Sequence, residues 1–117
     1  MHFTKKIEKE LIYEVLLFCI GVLLISFYYT NDLLLTFLLV LVWLIGIIFW
    51  HKKHDVYFFI IGSIGGPIGE IVSIHFGAWS YTNPMFLGIP LWLPFGWGLV
   101  TVLIKRIAET FVKIEMK

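Results

Sequence analysis

The residues best suited to do chemistry lie in one stretch, residues 62–98, GSIGGPIGEIVSIHFGAWSYTNPMFLGIPLWLPFGWG. It places a carboxyl, Glu70, inside an apolar run, and follows it with His75, Trp79, Tyr81, Trp92 and Trp97. A carboxyl, an imidazole and a phenol form a general acid–base set, and indole faces attract cationic character. Set among apolar residues, such groups suit a lipid or isoprenoid. Glu70 is then the proton donor or hydrogen-bond anchor, His75 and Tyr81 assist it, and Trp79, Trp92 and Trp97 line an apolar slot. Glu70 and His75 are the catalytic candidates, and all six are ligand-binding candidates. On a regular helix Glu70 and His75 point about 140° apart, so they share a face only where the helix end is distorted.

The same stretch holds eight of the ten glycines and all four prolines. Gly62, Gly66, Gly69 and Ser73 recur at helical spacing and predict one smooth helix-packing face, because small residues let membrane helices approach closely. Gly65 and Gly69 form a second small-residue pair. Pro67 removes a backbone hydrogen bond and favours a kink. Pro90 suits the first turn of a helix, and Pro94, deeper, predicts a break at that helix's outer end.

The elements that must position these groups are read from hydropathy. The chain has 117 residues, 60% hydrophobic and only 15% charged, against roughly 25% charged in soluble domains. Its mean hydropathy is +0.93. A membrane span needs about 20 mostly apolar residues, and four runs qualify, near residues 11–28, 33–50, 56–75 and 89–108. Helix is the form that satisfies backbone groups in lipid. The predicted fold is therefore an all-α membrane protein: one domain of four transmembrane helices in an antiparallel bundle, with glycine- and proline-distorted third and fourth helices. All nine Lys and Arg fall on one side of such a bundle. By the positive-inside rule both termini are cytoplasmic and the protein is a multi-pass cell-membrane protein. The first span is read as a retained helix, since no small-residue cleavage site follows it.

Asn31 or Asp32 is expected to cap the second helix, and Asp55 the third. Trp50 is expected at an interface. Glu14, one turn inside the first span, reads as an interfacial acid that snorkels or pairs with lysine, or as a proton-linked site. Residues 105–117 read as an amphipathic cytoplasmic tail with a Lys105–Glu109–Lys113 ladder. Cys19, the lone cysteine, is a packing residue. His51, His54 and Asp55 sit among lysines that repel cations, so no metal is expected, and no cofactor. A net charge of +1 points to no nucleic-acid partner, and there is no phosphate-binding loop.

The order Gly69-Glu70, then FGAWSY at residues 76–81, then GIPLWLP at residues 88–94, then Gly96-Trp97 resembles a block in carotenoid-biosynthesis membrane proteins of the bacterioruberin hydratase type. The resemblance spans about residues 69–97. It implies that Glu70 matches the helix acid of that family and that Trp79 and Tyr81 match its aromatic segment. Three functions compete. The first is lipid or isoprenoid binding around Glu70 near the outer leaflet, with or without catalysis. The second is a proton-coupled transporter acting as a dimer through Glu70 or Glu14. The third is an accessory subunit docked on a partner membrane protein through the glycine face. Membrane lipids, a homodimer or a membrane partner protein are the expected partners.

Overall fold

The computed structural model describes residues 5–50 and 54–116. These residues form four helices, α1 (Lys5–Tyr28), α2 (Asp32–Trp50), α3 (Asp55–His75) and α4 (Leu93–Met116), with no named strand among them. His51, Lys52, Lys53 and Lys117, and the interfacial role expected of Trp50, lie outside the described residues and side chains. α1 and α3 are long and apolar enough to cross a membrane, and α2 has a shorter apolar stretch over Asp32–Gly46.

Residues 29–31 are too few for any arrangement of α1 and α2 but antiparallel neighbours. Of the two caps expected there, Asn31 supplies the bond: its Oδ1 accepts the Leu34 N–H at 3.2 Å. Side-chain contacts fix the rest of the topology. Glu14 near the start of α1 meets Thr110 near the end of α4, and Asp55 at the start of α3 meets Lys105 of α4. The starts of α1 and α3 therefore share one end of the bundle with the end of α4. α4 is the central helix and packs on the other three, whereas the backbone of α3 approaches only α4. α2 reaches α3 through one ring pair, Trp43 and Phe59, with centroids 4.3 Å apart. The core joins Leu35, Leu39 and Val42 of α2 to Ile89, Trp92, Leu93, Leu99 and Leu103.

The fourth helix starts at Leu93, later than its expected start near residue 89. The cause is a two-residue turn. Phe86 and Ile89 exchange backbone hydrogen bonds of 3.1 and 2.9 Å, around Leu87 and Gly88 with φ of 49° and 86°. Positive φ at both central residues is the hairpin-turn geometry that glycine favours. A Cβ at Gly88 would also meet Ile74 Cγ2 at 2.9 Å. The turn holds residues 86–89 in a hairpin, so Pro90 precedes the helix. Pro94 then falls in the first turn of α4, where a missing N–H costs nothing. The expected break within the helix is absent for that reason. Pro67, by contrast, does lie inside α3.

Asp55 departs from its expected role as a cap. His54 occupies the cap position in a left-handed conformation with no side-chain cap bond. Asp55 is fully buried and pairs with α4 instead. Its Oδ1 accepts from Lys105 Nζ at 3.0 Å, and its Oδ2 accepts from Arg106 Nε at 3.1 Å and from Arg106 Nη2. The residues expected to form a tail are likewise part of the bundle. Thr110 and Ile114 of α4 are buried, as are Ile7, Glu10 and Glu14 of α1, and Lys113 pairs with Glu10 at 3.0 Å. Glu14 is wholly buried, with both oxygens accepting from Thr110 Oγ1 at 2.9 and 3.0 Å. It packs inward rather than snorkelling.

Breaking one partner of a buried ion pair leaves the other charge uncompensated, at a cost of about 3–5 kcal/mol. Asp55→Ala is expected to lower the thermal unfolding midpoint strongly. Glu109→Gln, which removes a half-exposed partner of Lys105, is expected to change stability by less than about 0.5 kcal/mol. Equal midpoints for the two variants would contradict the burial described.

Candidate functional site

The site begins with the seam between α3 and α4. Gly62, Gly66 and Glu70 are each one turn apart and face α4. A Cβ at Gly62 would collide with the Thr101 side chain, and one at Gly66 with the Trp97 ring. In return, a Cβ at Gly98 of α4 would come within 2.7 Å of the Phe59 ring of α3. Each helix thus presents a glycine notch that receives a large side chain of the other. The notch at Gly66 sets the Trp97 indole flat against α3, one turn below Glu70. From there Trp97 Nε1 donates a hydrogen bond to Glu70 Oε2.

The second donor comes from the loop. Tyr81 Oη donates to Glu70 Oε1. The Tyr81 ring meets Trp92 edge-on, with centroids 6.2 Å apart. Asn83 Nδ2 donates to the Thr30 carbonyl at 2.8 Å, tying the loop to the α1–α2 turn. The loop therefore folds back over this end of the bundle. Glu70 is 8% exposed and each of its oxygens accepts one hydrogen bond. Burial, the hydrogen bond to Glu70 and the nearby carboxylate charge together push the Tyr81 hydroxyl well above the usual phenol range, so it remains a donor.

Behind Tyr81 a cavity of about 430 Å³ opens between the end of α1 and the loop, lined by Ile25, Ser26, Tyr29, Tyr81, Asn83 and Trp92 among others. Its size falls within the range of small-molecule sites, roughly 300–1,000 Å³. Trp92 is 6% exposed, and its Nε1 has no acceptor among the described residues. A buried donor left without an acceptor is costly.

Of the six expected ligand residues, the structure brings together Glu70, Tyr81, Trp92 and Trp97. His75 is exposed and its ring meets the Phe76 ring edge-on at 5.5 Å. The end of α3 is not distorted enough to turn it toward Glu70. Trp79 is 47% exposed and lies outside this cluster. The expected packing face also divides. Gly62 and Gly66 meet α4, whereas a Cβ at Gly69 would touch nothing within 4 Å, and the Ser73 hydroxyl bonds back to the Gly69 carbonyl. The seam follows the 62–66–70 row, and Gly69 falls one position off it. Ser26, Tyr29 and Asn83 were not singled out from the sequence, because their place at the cavity depends on how the loop folds. Among the described residues no cluster of three or more metal-binding side chains occurs. Comparisons with family models, curated proteins and solved structures find no match to this chain.

Tyr81→Phe removes a donor to a carboxylate and is expected to destabilise the protein by about 1.5–3 kcal/mol. The fold favours the protonated phenol, so this contribution is present at neutral pH and is lost as pH rises above about 10. A tyrosinate absorbance titration should show one tyrosine ionising later than the rest in wild type, and that late step should vanish in Tyr81→Phe.

Proposed function

We propose that this chain is a four-span membrane protein with both ends cytoplasmic, and that its outer-end cavity holds the polar end of an isoprenoid or similar lipid. The observation that carries the ligand reading is the double role of Tyr81. One side of it lines the cavity, and its hydroxyl is held by Glu70. Glu70 therefore acts through Tyr81 as a positioning residue. Tyr81, Asn83 and Ser26 are the polar groups that border a ligand, and the Trp92 ring forms part of the wall. Trp97 fixes Glu70 from the far side.

The membrane reading rests on surface and charge. Large apolar side chains are exposed along α1, α2 and α3, among them Leu23, Phe37, Ile61 and Ile68 at 54–66%. Unbroken apolar exposure of this extent suits lipid rather than water. The long axis of 46 Å is close to the thickness of a bilayer with its headgroups, about 40–45 Å. Lys5, Lys6, Lys9, Lys105, Arg106 and Lys113 gather at the end opposite the cavity, and the positive-inside rule supports a reading with the cavity outside. In a Cys19→Ser background, a cysteine introduced at Thr82 is expected to react with an impermeant thiol reagent on intact cells. One introduced at Glu115 is expected to react only after permeabilisation. The reverse pattern would invert the topology.

The resemblance of residues 69–97 to carotenoid hydratases supports an isoprenoid as the ligand class. Geranylgeraniol added to detergent-solubilised protein is expected to appear as a bound adduct by native mass spectrometry. The adduct should fall at least tenfold in Tyr81→Phe and in a cavity-filling Ser26→Trp variant. A second reading has its own observation: both Glu70 oxygens are already occupied by the chain itself, as in an interhelical clamp. Under that reading Tyr81→Phe lowers stability, and wild type and variant bind the probe equally or not at all.

A further inference from the structure

A second cavity lies at the other end of the bundle, between the first turns of α1 and the later turns of α2. Its volume is about 640 Å³, and it is lined by Lys6, Lys9, Glu10, Tyr13, Leu17, Ile45 and Gly46. The order of these residues along α1 is informative. Lys6, Lys9, Tyr13 and Leu17 follow one helical face, and Lys6 to Leu17 spans about 16 Å at 1.5 Å per residue. Two ammonium groups stand at the mouth, a phenol comes next, and apolar side chains from both helices form the floor. An amphiphile has the same sequence of parts: a charged head, a polar junction and a chain. We propose that this cavity binds one anionic phospholipid from the cytoplasmic leaflet. Its phosphate sits between Lys6 and Lys9, its glycerol ester region lies beside Tyr13, and an acyl chain runs along Leu17, Ile45 and Gly46.

The electrostatics are consistent with an anion despite the carboxylate in the lining. Glu10 is held by Lys113 of α4 at 3.0 Å, so its charge is offset from outside the cavity. Lys6 and Lys9 are exposed at the mouth, where lysines interact with anionic headgroups. A phosphate without a chain would use only the mouth and leave the apolar floor unfilled. The proposal rests on the bilayer reading given above, and its test separates the two. If that reading fails, the protein is recovered from cells without detergent. If it holds and the lipid site does not exist, the protein needs detergent and shows no headgroup preference.

The experiment is native mass spectrometry of the full chain in a neutral detergent, titrated with phosphatidylglycerol and, separately, with phosphatidylcholine of the same chains. Wild type is expected to retain one phosphatidylglycerol in preference to phosphatidylcholine. Removing a lysine from the mouth should weaken retention by roughly fivefold, so Lys6→Gln/Lys9→Gln should lose the preference. Lys5→Gln removes a neighbouring charge outside the cavity and should keep it. Gly46→Leu fills the floor without touching a charge and should also lose retention. A Cβ there would meet Leu17 Cδ1 at 3.9 Å, an ordinary contact, so this variant is expected to fold. Excess glycerol phosphate should not displace the lipid. Equal binding of the two lipids by wild type would overturn the proposal. So would equal losses in Lys5→Gln and Lys6→Gln/Lys9→Gln, unchanged retention in Gly46→Leu, or displacement by glycerol phosphate.

Discussion

Apolar side chains gain little by leaving lipid for protein, so helices in a bilayer are held together by close packing and by polar contacts. The pairing of α3 with α4 relies on both. Glycine notches at Gly62, Gly66 and Gly98 bring the two backbones together along the middle of the seam. At one end Asp55 joins Lys105 and Arg106, and at the other Glu70 joins Trp97. Neither polar end could form if the middle were held apart by larger side chains. The position of Trp97, and through it the placement of Glu70 and Tyr81, follows from the absence of a side chain at Gly66.

The two ends of the molecule use charge differently. At the lysine-rich end, acids and bases are interleaved between helices: Asp55 with Lys105 and Arg106, and Glu10 with Lys113. Every acid named there has a partner on α4, so that end is a cross-linked polar layer. At the opposite end Glu70 is met by neutral donors, a phenol and an indole. The Glu70 carboxyl orients the two groups that bond to it, which is how Tyr81 comes to be fixed at the wall of a cavity.

Much of this architecture could be read from residue patterns. Four apolar runs gave four helices, the short turn after α1 gave an antiparallel pair, and of the face read at Gly62, Gly66, Gly69 and Ser73 the first two residues do meet α4. The departures have local causes. The start of α4 was misplaced because the deciding turn puts Leu87, a residue without glycine's freedom, at positive φ. Asp55 looked like a cap because sequence shows its neighbours along the chain, whereas its partners lie some 50 residues away on another helix. Gly69 and Ser73 keep to the face of Gly62 on a helix turning about 100° per residue, but α4 meets α3 along the inclined i, i+4 row through Gly62, Gly66 and Glu70, so a Cβ at Gly69 touches nothing. Glu70 was identifiable as the carboxyl needing partners. Which aromatics would serve it depended on how residues 76–92 fold, and hydropathy carries no signal for that.

The seam also constrains how the protein can be made. In the four-span reading proposed above, α3 carries Asp55, Glu70, Pro67 and several glycines, a costly set for a lone helix entering a bilayer. The groups that offset those acids, Tyr81 of the loop and Trp97, Lys105 and Arg106 of α4, are all synthesised later. In that reading α3 gains its full stability only once α4 has emerged, and the two would enter a bilayer most favourably as a preformed hairpin. The second half of the chain would then be one unit of delivery rather than two.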